Sequence, residues 1–299
     1  MATIPVIYAQ GLSGERWRYY GAWARYVPIP LLERLGSHLP TKRLWEELIP
    51  CGDRQAELSV LAGSTTAAKS TGVWLGEAEA PVVLSHNLAI GMSWRDRWRG
   101  RALALGLLRK VLPALARELE LFGDRLTVGL AVAEWELSFW VMGIEPYARA
   151  ITVFLNKNQR SQSFGGTGLA VRQTAYTSGK VDAHVLIVSP ECVEAMSGLA
   201  MRQGTVVIST DGLPINTLVG CFAVDLGMSS QIGLPSFIWA DRRDELPVLE
   251  TVITAAFLVA QMSRWPTHPT RQIMAMDRAL AWSEWPVVYK LQGESNRVI

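Results

Sequence analysis

AHVLIVSPECVEAMSGLAMRQGTVVIS, residues Ala183–Ser209, decides the fold class. Ala183 to Val188 is an apolar run of the kind that marks a strand buried on both faces. Ser189 is a helix-capping residue type and Pro190 suits a first helical position, where its missing N–H costs nothing. The spacing predicts a helix to about Gln203, stopped by Gly204. Val206 to Ser209 is a second short apolar run. Strand, helix and strand at this separation read as a right-handed βαβ unit, because parallel neighbours need a crossover of about a dozen residues or more. The fold class expected is therefore α/β or α+β, with a mixed sheet and flanking helices.

Outward from that unit, Leu103, Leu107, Val111, Leu115 and Leu119 recur every fourth residue. They predict an amphipathic helix over about Arg97–Phe122, kinked or split by Pro113. Val248–Trp265 and Pro269–Trp285 read as further helices, and Thr41 would cap a short helix over KRLWEELI, residues 42–49. Strands are expected at Ile4–Ala9, Leu58–Leu61, Val73–Leu75, Pro81–Ser85, Ala150–Leu155 and Leu169–Tyr176, with an edge strand at Val287–Leu291. Leu126–Val141 is rich in β-formers and reads as one long strand or a hairpin. GSTTAAKSTG, residues 63–72, and NKNQRSQSFGGTG, residues 156–168, read as polar loops. One compact domain over residues 1–299 is expected, with an N-terminal layer to about residue 121.

Composition narrows the class. Hydrophobic residues make up 49% of the 299 and charged residues only 19%, so the chain can bury a large core and is not disordered. Twelve tryptophans exceed the needs of a core and favour a buried interface, hence a protein partner or self-association. A net charge of +2 supplies no global attraction to nucleic acid or membranes. Cys51, Cys192 and Cys221 are odd in number and form no C-x-x-C, which argues against a disulfide framework or a cysteine zinc site and fits reduced thiols in a cytoplasm. The N-terminus lacks the basic and apolar regions of a secretory signal, and no stretch is long enough for a membrane span.

Most chemical signatures are absent. There is no Walker phosphate loop, no G-x-S-x-G and no H-E-x-x-H. FGGTGLAV, residues 164–171, lacks the third glycine of a dinucleotide fingerprint and precedes a strand rather than a helix. No cofactor or metal is expected. Asp182 and His184 stand two apart on one expected strand and so share a face. Cys192 lies in the first turn of the expected helix after a buried strand, where N–H groups favour a thiolate. Asp211 follows the next strand at the same edge. Cys192 with His184 or His86 and Asp211 is thus a candidate nucleophile, base and orienting carboxylate for acyl transfer or amide hydrolysis.

The densest charge lies in WRDRWRGR, residues 94–101. Guanidinium forks bind phosphate and indole faces stack on bases. Trp94, Arg95, Arg97, Trp98, Arg99 and Arg101, with Lys157 and Arg160, are the candidate nucleic-acid contacts; Arg16, Trp17, Arg18, Arg25 and Arg172 could extend them. The preferred expectation is a non-enzymatic subunit of a larger assembly that touches nucleic acid through these side chains. The cysteine-dependent enzyme is the alternative. A third reading is a small-ligand binder using the sheet edge near Asp211, with residues 156–168 as a lid.

Overall fold

The structure, a computed structural model, describes residues 5–77, 81–89, 100–120, 126–155, 170–175, 180–218, 221–228, 242–261, 269–283, 287–291 and 297–298. Its contacts divide the chain into two compact units. The first comprises residues 1–102, 230–267 and 274–285, and the second 103–229, 268–273 and 286–299. The mixed α/β class expected from the sequence holds in both.

The first unit is built on a four-stranded sheet of β1 (Pro5–Gly11), β2 (Lys42–Cys51), β3 (Arg54–Gly63) and β4 (Val82–Leu84), in the order β2-β3-β1-β4. β1 runs parallel to β3 and β4, while β2 and β3 form an antiparallel hairpin. KRLWEELI is therefore strand, not helix. The turn Gly52–Asp53 decides it: Gly52 sits at φ 63°, the left-handed value a two-residue hairpin turn needs at its first central position. Its charges then face outward on an edge strand, which protects that edge from pairing with other chains.

The helices here are α1 (Ile29–Gly36), α2 (Thr65–Glu77) and α3 (His86–Ala89). Of GSTTAAKSTG, residues 65–72 fall in α2, and so does the expected strand at Val73–Leu75. Ser64 starts α2 by accepting the Ala67 N–H on its hydroxyl at 3.1 Å and the Ala68 N–H on its carbonyl at 2.8 Å. Strand alternation turns Ala9 with Ile7 toward Ala68 of α2, and Tyr8 to the opposite face. Trp17 is buried with Leu12, Tyr20, Ala24 and Leu32, and its ring lies against Gly36.

From Leu103 on, the second unit holds most of α4 (Arg101–Glu118), which runs unbroken through Pro113. Pro113 is exposed, so the lost backbone bond faces water while the leucines around it stay buried. The remaining elements of this unit are β5 (Thr127–Ala131), α5 (Leu137–Ile144), β6 (Ala150–Leu155), β7 (Ala170–Ala175), β8 (Lys180–Val181), β9 (Val185–Val188), α6 (Val193–Met196), β10 (Ala200–Met201), β11 (Val206–Ser209) and β12 (Phe222–Met228). Late in the chain come α7 (Glu245–Gln261), α8 (Pro269–Ser283), β13 (Val287–Leu291) and β14 (Arg297–Val298). Leu126–Val141 is thus a short strand followed by a helix.

Eight strands form one sheet in the order β14-β13-β12-β11-β9-β5-β6-β7. From β7 to β12 every pairing is parallel, and β13 and β14 close the edge antiparallel, so β13 is an inner strand. β9 and β11 pair in register as the expected βαβ unit, but the crossover is one 3-10 turn and the single turn of α6 rather than a helix to Gln203. β8 and β10 form a separate two-stranded sheet.

A methyl group added at Gly36 would lie 2.2 Å from the Trp17 ring. Gly36→Ala should lower stability by about 1–3 kcal/mol through overpacking. Urea unfolding followed by tryptophan fluorescence checks this, and an unchanged midpoint would refute the packing described.

Candidate functional site

Numbered by first appearance in the large sheet, β7, β6, β5, β9, β11 and β12 run 3-2-1-4-5-6, the order of doubly wound dinucleotide-binding sheets. Such sheets bind ligands outside the carboxyl ends of their strands, where the order reverses. Here that switch point lies between β5 and β9, which pair Val128↔Val185 through Ala131↔Val188.

The carboxyl edge carries two sequence candidates, Cys192 and Asp211. After β9, Ser189 turns the chain: its carbonyl accepts the Cys192 N–H at 2.9 Å and its hydroxyl donates to the Cys192 Sγ at 3.4 Å. Both side chains are buried. After β11, the Thr210 N–H donates to the Val188 carbonyl at 3.0 Å, which holds the two strand ends together. Asp211 Oδ1 accepts from the Ser209 hydroxyl and, at 3.1 Å, from the Leu213 N–H. Among the described residues the buried hydroxyl oxygen of Thr210 has no hydrogen-bond partner. A buried polar atom left unpaired costs about 1–3 kcal/mol. Sequence reading missed Thr210, and its one signal was its place just past a buried strand.

His184 is at the other edge. It precedes β9, and its Nδ1 lies 2.7 Å from the Thr127 hydroxyl and 3.1 Å from the Thr127 N–H, which donates to it. The four residues of β9 lie between it and Ser189, five residue steps or about 16 Å along the strand. The structure thus places His184 at the opposite end of β9 from Cys192 and Asp211 and does not bring the three together. His184 instead pins the amino ends of β5 and β9. Asp182 is exposed and pairs with Arg202 at 3.6 Å. His86 belongs to the first unit: its backbone N–H donates to Asp244 at 2.7 Å, and its Nε2 lies 2.8 Å from an Arg243 nitrogen. Asp244 also accepts the Tyr8 hydroxyl at 2.7 Å, so this buried carboxylate ties the start of α7 to β1 and α3.

The Arg/Trp candidates fare differently. Trp94, Arg95, Arg97, Trp98, Arg99, Lys157 and Arg160, with the loop 156–168, lie outside the described residues. Arg101 is buried at the start of α4 and Trp17 is buried in the first unit, so neither presents a surface group. Tyr19, Trp23 and Tyr26 are exposed nearby, Tyr26 at 89%, with Leu31 and Leu35 beside them in sequence. Arg18 is held by Glu15 and the Arg25 carbonyl. Among the described residues there is no group of three or more His, Cys, Asp or Glu placed to hold a metal, and no helix is long and apolar enough to cross a membrane.

No family model matches the chain, and no curated protein matches it. Among solved structures it is similar to L-tryptophan dehydrogenase from Nostoc punctiforme, at 7% identity and a TM-score of 0.32, over 93% of this chain and 80% of that one. A likeness that slight carries no argument about activity.

Two predictions follow from this geometry. Burial pushes the Cys51 thiol up to about 12 and also raises that of half-buried Cys221. Native iodoacetamide labelling at neutral pH should therefore be slow throughout, with Cys221 modified first on grounds of access; rapid modification of Cys192 would contradict its burial. Burial, then nearby Arg202, lowers the His184 pKa from 6.5. The unfolded chain thus takes up that proton more readily, so stability conferred by neutral His184 is lost as pH falls through about 6.5 and below. The urea midpoint should drop more between pH 7.5 and 5.5 in the parent than in His184→Gln; equal drops would refute this role.

Proposed function

We propose that this protein binds a small polar ligand at the carboxyl edge of its eight-stranded sheet, in the crevice between the ends of β5 and β9. The observation that carries the reading is the strand order, which reverses at that point. The groups at the neighbouring end of β11 suit a ligand with hydroxyl or amine hydrogens. Asp211 offers a carboxylate whose Oδ1 is already oriented by Ser209 and Leu213, and Thr210 supplies an unpaired hydroxyl. Ser189 and Cys192 form the facing turn.

Thermal shift against nucleosides, sugars and amino acids tests this. A ligand at 100 times its Kd should stabilise the chain by about 2.7 kcal/mol and raise Tm by several degrees. Asp211→Asn should remove most of that rise while leaving the unliganded Tm close to the parent's. A ligand whose shift survives both Asp211→Asn and Thr210→Val would place binding elsewhere and overturn the reading.

A second reading is a subunit that contacts single-stranded nucleic acid through the first unit. It is favoured by the exposure of Trp23 and Tyr26, with Arg16, Arg25 and Arg34 near them in sequence. Exposed aromatic faces stack on bases, each worth about 1–3 kcal/mol, and such binding weakens with salt. Loss of low-salt retention on an oligonucleotide in Trp23→Ala/Tyr26→Ala would support it, and unaltered retention or none in the parent would refute it.

A further inference from the structure

We infer that the eight-stranded unit, although its strands run in the dinucleotide order, does not hold a dinucleotide diphosphate at its first strand–helix turn. In sheets of this order the diphosphate sits on the turn from the first strand into the first helix. Glycines let the backbone approach it, and free helix N–H groups point at it. The corresponding turn here joins β5 to α5 and reads Ala131-Val132-Ala133-Glu134-Trp135-Glu136, with no glycine.

Three observations close it. Ala131 and Val132 are buried, so side chains fill the place where bare backbone would meet phosphate. The nearest glycine, Gly129, lies inside the strand, and its space is already used: an added Cβ would stand 2.8 Å from Leu186 and 3.0 Å from Phe154. Two of the N–H groups beyond the turn are spent as well. A 3-10 turn over Glu134–Glu136 precedes α5, in which the Glu136 N–H donates to the Ala133 carbonyl at 2.9 Å and the Leu137 N–H to that of Glu134.

Charge works the same way. Glu136 is wholly buried at the N-cap position of α5, and Glu134 stands exposed two residues before it. The 3-10 turn that leads into α5 is thus acidic, in the place where a helix start would otherwise favour an anion. An incoming diphosphate would meet the like charge of exposed Glu134. The inference stands apart from the small-ligand proposal, because it concerns the β5–α5 turn and not Thr210 or Asp211.

The test is titration of the full chain, checked for a cooperative melt, with NAD+, NADP+ and ADP by calorimetry, together with hydrogen exchange over residues 131–137. The expected result is no saturable heat up to about 1 mM. Saturable binding that leaves exchange at 131–137 unchanged also supports the inference, since it places the nucleotide elsewhere. Saturable binding by any of the three that slows exchange across 131–137 would overturn it. If the titrations are silent while Asp211→Asn still abolishes a hydroxyl-bearing ligand's thermal shift, both proposals stand; if both ligand classes are silent, only the small-ligand reading falls.

Discussion

The parallel pairing of β5 with β9 is the constraint on which the second unit depends. These strands are remote in sequence, yet Val128 to Ala131 lie in register with Val185 to Val188. Everything else is placed from that seam: β6 and β7 extend one side, β11 and β12 the other, and the strand order reverses there. Burial drives the pairing. All four residues of β9 and four of the five in β5 are buried, and each Val, Leu and Ile side chain among them contributes about 1.5–3 kcal/mol on leaving water. The polar groups at the seam's two ends divide the work. Thr127 and His184 join the amino ends by hydrogen bonds, while the carboxyl ends carry Ser189, Thr210 and Asp211.

Much of this seam was legible from residues alone. Continuous apolar runs announce buried parallel strands, so β9 and β11 stood out; Gly204 at φ 81° turns the chain after β10 and not at the end of a helix. Where the reading failed, tertiary context overrode local preference. LSFWVMGI has the composition of a strand, yet it forms α5, because six of its eight residues are buried and a helix lets an apolar segment bury nearly all round. KRLWEELI has helix formers throughout, yet hairpin pairing with β3 holds it extended. Ser64, whose side chain caps α2, was read as loop because the residues after it are small and polar.

The site was half legible for a related reason. Cys192 and Asp211 both follow strands, and chain direction alone puts them on one edge. His184 precedes its strand and goes to the opposite edge; the alternation rule that put it on a face with Asp182 says nothing about which end of the strand it occupies. The same topology that nominates a ligand edge also exposes what the chain lacks there. Sheet order and phosphate turn are separable features, and this chain has the first with acidic, side-chain-bearing residues in place of the second.

The most direct test is solution NMR on a deuterated chain with protonated Val, Leu and Ile methyls. Parallel pairing predicts contacts from Val128 to Val185 and from Leu130 to Ile187, with Thr127 near His184 and Ala131 near Val188. Contacts in the reverse sense, Val128 toward Val188, or none between the two segments, would contradict the seam and with it the ligand edge.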